Sequence, residues 1–199
     1  MPKGGHRLAA AACTIACGVC IGAAAQPRHY TLDPSHSFAT FEVLHFEAST
    51  IRGRFGPLSG EVMLDPGARR GRVQVLIDTA AVSTGLPVFD ARLREPDMLS
   101  TATHPQASFV AEGFSFDAQG AVTAVRGEFF LRGHGEALTL TARRFRCYTS
   151  PLFRREVCGG DFEATFPRSA FGITHSLPFV GDMVRLTVQV EAIHQPAER

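Results

Sequence analysis

From Tyr30 onward the chain alternates apolar and polar residues in short runs divided by clusters of Gly, Pro and Asp, the two-residue period of strands with one buried face. The runs predict strands over residues 30–32, 37–46, 51–64, 72–77, 107–116, 122–131, 137–148, 160–166 and 183–192. Asp65-Pro66-Gly67 and Asp117-Ala118-Gln119-Gly120 fall between runs and carry the residue types that tight turns require. One stretch, from Pro87 to Leu99, has helical spacing instead. There Phe89, Leu93 and Met98 are set among Asp90, Arg92, Arg94 and Asp97, and Pro96 is expected to divide the stretch into two short turns. So many strands in one domain must cover their edges, and closure into a barrel does this most completely. The expected fold is therefore all-β, an antiparallel β-barrel of about eight strands with one short helical excursion; a two-sheet sandwich is the alternative.

The faces of the second run indicate what the interior holds. Ala39, Phe41, Val43 and His45 share one face, apolar but for the histidine, while Phe38, Thr40, Glu42, Leu44 and Phe46 share the other. A barrel of about eight strands is either filled by its side chains or wide enough for one small ligand. The chain has 16 Phe and no Trp, a composition that fits the wall of an elongated cavity and a solid core equally well.

Charge and chain ends narrow the setting. Residues 1–25 read as a secretory signal peptide: Lys3 and Arg7, then an uncharged run from Leu8 to Ala25 with small residues at Ala23 and Ala25. Cleavage after Ala25 leaves a single domain over residues 26–199, a periplasmic location and no stable membrane span. Lipid attachment is the weaker reading, because Cys13 and Cys20 are preceded three positions earlier by Ala10 and Cys17 where a Leu-type residue is needed. The formal charge is +1 for the whole chain and both signal cations leave with the signal, so nothing pulls the domain toward nucleic acid. After Lys3 every cationic side chain is Arg. Of five cysteines only Cys147 and Cys158 remain in the domain, and in an oxidising compartment they are expected to form a disulfide. Zinc would need more ligands nearby than this pair offers.

The residues in order resemble a known family, the YceI-like lipid or polyisoprenoid-binding proteins. Tyr30-Thr31-Leu32-Asp33, His36-Ser37 and Phe41-Glu42-Val43-Leu44-His45 are similar to its first long strand, and Gly53-Arg54-Phe55 with Gly60 to its second. Asp90, Leu93-Arg94, Asp97, Leu99, His104-Pro105 and Phe109 match its helical excursion. Val125-Arg126-Gly127-Glu128, Arg168-Ser169, Phe171-Gly172-Ile173 and Val180-Gly181-Asp182 continue the pattern nearly to the end. The resemblance implies an extended lipocalin-like barrel outside the cytoplasm, an apolar tunnel occupied by an isoprenoid or fatty-chain lipid, and no metal or organic cofactor. Carried over residue by residue, Ala39, Phe41, Val43, His45, Phe55, Leu93, Phe109 and Phe171 would line the tunnel, with Asp90 and Arg94 near its mouth. The chain departs from the family at Phe89 and Arg92, where Arg and His are common, and at His134-Gly135-Glu136-Ala137, so the ligand's head group does not carry over.

Other readings of the same residues stand beside this one. His45 is either an orienting polar group or a core histidine bonded to a carbonyl. Asp90 and Arg94, four apart, read first as a helix pair, and Arg52 and Arg54 as an exposed strand face. His36, His45, His104, His134 and His175 with Asp33, Asp90 and Ser37 offer material for a Ser-His-Asp hydrolase or an isomerase, but no Gly-x-Ser-x-Gly elbow or His-Glu-x-x-His helix is present. The expectation is a binding protein rather than an enzyme. A filled barrel acting as an interaction or stress-response module is the alternative, and a homodimer is left open. An outer-membrane barrel is disfavoured because Glu42, Arg126, Glu128, Arg143 and Arg144 interrupt the strands.

Overall fold

The structure, a computed structural model, describes Met1 and residues 26–196; the expected signal peptide lies outside the described residues. Ten strands follow in order: β1 (Arg28–Leu32), β2 (Phe38–His45), β3 (Ser49–Phe55), β4 (Ser59–Asp65), β5 (Arg70–Asp78), β6 (Gln106–Phe116), β7 (Val122–Leu131), β8 (His134–Thr149), β9 (Glu156–Pro167) and β10 (Val180–Gln195). A single helix, α1 (Pro87–Leu93), stands between β5 and β6. Alternation places the core. Along β5, Gly71, Val73, Val75 and Ile77 are buried while Arg70, Arg72, Gln74 and Asp78 are exposed.

Antiparallel pairing runs β1-β4-β5-β6-β7-β8-β9-β10, and β1 also pairs with β10, from His29 opposite Gln195 to Leu32 opposite Ala192. Eight strands thus close into a ring. The long β10 carries β1 along its last residues and β2 along its first, where Gln189 faces Phe38 and Val184 faces Val43. β3 pairs with β2, and its outer edge is covered at one point by an isolated bridge from Arg54 to Ser83.

The turns behave as their residues demand. Asp117 caps its own hairpin, its carboxylate accepting from Gln119 N and Ala121 N. Two predicted boundaries need correction. The run over residues 51–64 is not one strand: it breaks at Gly56-Pro57-Leu58, where Pro57 has no N–H for a ladder and Leu58 turns fully into the core. The helix ends at Leu93 rather than reaching Leu99, with hydrogen-bonded turns completing the excursion ahead of and beyond Pro96. The long strands also outrun their predicted ends because residues such as His134, Gly135 and Glu136 are exposed and carry no alternation.

Cys147 and Cys158 face each other across β8 and β9 and form a disulfide. Closing so short a loop restrains the unfolded chain, and replacing both residues by serine is expected to lower stability by about 2 to 3 kcal/mol. Urea unfolding with and without the bridge reads this directly; an unchanged midpoint would refute it.

Where β1 ends, the buried Asp33 accepts from Ser35 N at 2.9 Å and from His36 Nδ1 at 2.7 Å. Burial alone would raise the Asp33 pKa, but the His36 and Ser35 bonds outweigh it and hold the carboxyl below its usual 3.8. The same bond holds His36 above its usual 6.5. The depressed acid contributes stability that is present above 3.8 and lost as pH falls through its folded value. The raised histidine contributes stability that is present below 6.5 and lost as pH rises through its folded value. His36→Gln is therefore expected to lower Tm most between those two limits, and only modestly because His36 is well exposed. A Tm difference from the parent that is flat from acid to alkaline pH would contradict the linkage.

Candidate functional site

The ring of strands is hollow in two places, one beyond the other along its axis. The first cavity has a volume of about 110 Å³. Ala39, Phe41 and Val43 on β2, Phe55 on β3, Ile77 on β5, Ala107 on β6, Phe129 and Leu131 on β7, Phe166 on β9 and Val184 and Leu186 on β10 form its walls. Leu93 of α1 with Met98, Leu99 and Ile173 complete the lining, and Thr79 and Arg168 are its polar members. The second cavity, about 80 Å³, is lined among others by Tyr30, Leu32, Val73, Val75, Phe109, Val125, Leu140, Phe162, Val188 and Ala192. Each exceeds several times the space that one water molecule needs, so the Phe-rich interior does not pack the barrel solid.

The cover over the first cavity is held by polar side chains, of which Arg168 is buried. Arg168, only 5 % exposed, lies in the one-turn segment Arg168–Phe171 after β9. Its guanidinium donates to the carbonyls of Gly181, Ile173 and Val180, each at 2.9 Å, so the aliphatic stem is what the cavity meets. Burial pulls the Arg168 pKa down, and nearby Asp182 opposes this. Asp182 accepts from Ser169 N and Oγ at 2.9 and 2.7 Å. Arg132 ties the two covering segments together, donating to Pro96 O on one side and to Phe171 O and Gly172 O on the other. Asp97, bonded by Arg92 and held down to about 2 chiefly by that bond, also meets His175 Nδ1 at 3.0 Å.

The residues singled out from the sequence separate into three groups. Ala39, Phe41, Val43, Phe55 and Leu93 come together around the first cavity, and Phe109 lies on the second. Phe171 is buried one layer behind, its ring 5.4 Å from Phe129 and 5.3 Å from Phe166. His45, expected to face the tunnel, lines neither cavity, and Asp90 and Arg94, expected near its mouth, stand beside the lining residue Leu93 without lining a cavity themselves. His45 is the last residue of β2, where the β10 pairing slips between Val180 and Val184, and its ring turns against Phe46. Asp90 and Arg94 do not bond each other. The Asp90 carboxylate accepts from Thr84 N and Oγ1, both at 2.6 Å, which holds its pKa low. Arg94 donates to Ala80 O and Val82 O. Together they fasten α1 to the segment before it and so position Leu93 over the cavity. Arg52 pairs with Glu42 and Arg54 lies over the Phe38 ring, both outside the barrel.

No hydrolytic constellation forms from the candidate residues. Ser37 is fully buried, and its hydroxyl exchanges bonds with the Glu191 backbone rather than with His36. Among the described residues no group of three or more His, Cys, Asp or Glu is placed to hold a metal ion, and no helix is long and apolar enough to cross a membrane.

Residues 30–192 match the family model of the YceI-like domain. The chain belongs to the YceI-like family. Protein YceI of Escherichia coli O157:H7 is 29% identical over 163 residues, covering 80% of this chain and 83% of that protein. Among solved structures, BcnA of Burkholderia cenocepacia superimposes with a TM-score of 0.65 at 20% identity, over 80% of this chain and 98% of that one. A Saccharophagus degradans domain described as polyisoprenoid binding and implicated in plant cell wall breakdown superimposes with a TM-score of 0.60 at 18% identity, over 83% and 98%. At these identities the structures share the YceI-like barrel with this chain. Several lining residues, Ile77, Val184 and Leu186, escaped the sequence reading although the alternation of β5 and β10 carried the signal. Arg168 offered none, since a lone arginine after a strand says nothing of its burial.

Proposed function

We propose that this protein is an exported lipid-binding barrel that sequesters or carries an isoprenoid-like or fatty-chain molecule and performs no covalent chemistry on it. The observation that carries the reading is the pair of apolar cavities enclosed by a closed ring of strands. Each methylene withdrawn from water contributes about 0.8 kcal/mol, so a dry cavity of suitable width binds a long chain without many polar contacts. The printed description of the Saccharophagus degradans domain supports the same ligand class. The disulfide and the signal-like residues 1–25 support a periplasmic location. We assign the protein no metal or organic cofactor.

The test is to purify the protein from the periplasm, extract it with organic solvent and identify what is released by mass spectrometry. A reproducible isoprenoid or fatty-chain compound in amounts comparable to the protein is expected. Protein that releases nothing and takes up no apolar dye would overturn the reading.

A further inference from the structure

We infer that the end of the barrel over the first cavity is a membrane-docking surface, where Phe46 and Phe179 enter the headgroup layer of a zwitterionic bilayer. The inference rests on the lipid-binding reading and adds the place where the protein meets its cargo. Phe46 is 59% exposed and Phe179 60%. Their rings stack with centroids 5.3 Å apart, and Phe46 N donates to Phe179 O at 2.7 Å. Leu44, which lies against Gly181, and Met183 beyond that glycine are exposed as well. Their chain neighbours Val43 and Val184 line the first cavity, and the carbonyls of Val180 and Gly181 are held by Arg168. The patch therefore stands on the cavity's cover. Leu86 and Val88, also exposed, stand at the start of α1, whose Leu93 belongs to the same cover.

Phe46 is not what its turn calls for. Phe46 and Glu47 are the central residues of the turn that Ala48 N closes on His45 O, and both are left-handed, with φ of 49° and 54°. A hairpin turn of that kind favours Asn-Gly, and a bulky ring at positive φ is disfavoured. A phenylalanine there works against the turn and leaves more than half of itself in water, which points to a use outside the fold. Charge indicates what it meets. Arg52 and Arg185 pair with Glu42, Arg92 pairs with Glu95 and Asp97, and Asp182 accepts from Ser169. The charged groups of this end are thus engaged with their own neighbours. They leave no array to match an anionic surface or a charged protein partner, whereas zwitterionic headgroups need none. The apolar side chains also project from turns and strand ends instead of lining a groove, a shape suited to entering a headgroup layer.

The experiment floats the protein, purified from the periplasm, with phosphatidylcholine vesicles on a density gradient at low and at high salt. The wild type is expected to float with the vesicles equally in both, because an apolar contact is not screened. Phe46→Asn combined with Phe179→Ser should cut partitioning tenfold or more. Phe46→Asn alone should weaken it without lowering the urea midpoint, since asparagine suits the turn; this separates lost docking from lost fold. Leu152→Ser removes a side chain that is 80% exposed in the turn between β8 and β9, at the opposite end, and should float as the wild type does. A wild type that stays down, flotation abolished by salt, a double variant that floats undiminished or a Leu152→Ser variant as deficient as the double would each overturn the docking surface. Dimers that dissociate in the double variant, with no flotation, would overturn it in favour of a second copy of the chain. Flotation by a protein whose solvent extract holds no lipid would keep the surface and remove the lipid-binding reading beneath it.

Discussion

Replacing Phe41 by Arg is expected to strip the barrel of its lipid while leaving the fold standing. Phe41 lies on the wall of the first cavity, its ring 5.6 Å from Phe55 and packed over Gly53. It is half-buried, so an arginine there can direct its head partly toward solvent and the barrel tolerates it. A lipid cannot share the cavity with that side chain without covering its polar groups, at about 1 to 3 kcal/mol for each one left without a partner. Retention should therefore fall tenfold or more, measured as lipid per protein in solvent extracts of material whose circular dichroism matches the wild type. A folded variant with undiminished lipid would mean that the first cavity is not where the chain lies.

Arg168→Met is expected to be the most destabilising single change outside the apolar core. Methionine retains the stem that faces the cavity but leaves the carbonyls of Ile173, Val180 and Gly181 without their donor. The buried Ile173 carbonyl so orphaned costs about 1 to 3 kcal/mol, and the part-buried carbonyls of Val180 and Gly181 less because water reaches them, a loss of roughly 3 kcal/mol that is a large share of the stability of an ordinary domain. Arg168→Lys should recover only part of it, because an ammonium cannot present the planar fork that reaches three acceptors at once. Urea midpoints of the two variants separate the cases. A methionine variant within about 1 kcal/mol of the parent would show that water replaces the guanidinium freely.

Periodicity made most of this architecture readable. β5 alternates regularly enough that the inward places of Val73 and Val75 follow from residue type alone. The break at Gly56-Pro57 was missed because apolar residues continue on both sides of it, Phe55 before and Leu58 after. The β2 wall of the first cavity was equally visible through Ala39, Phe41 and Val43. His45 was misplaced because alternation extrapolates along a strand that here reaches its end and slips register. Asp90 and Arg94 were read as partners since helical spacing sees only the helix, whereas both bond across to the segment from Ala80 to Thr84. Long-range backbone acceptors, like those of Arg168, leave no mark on the pattern of residue types.

The seam between β1 and β10 joins the first strand of the barrel to its last. A chain emerging from its N-terminus therefore carries an unsealed sheet until the closing residues arrive, and contacts this distant in sequence form late. No enclosed interior exists before then. A truncation that removes the final strand is therefore expected to leave the ring open and its hollow unwalled.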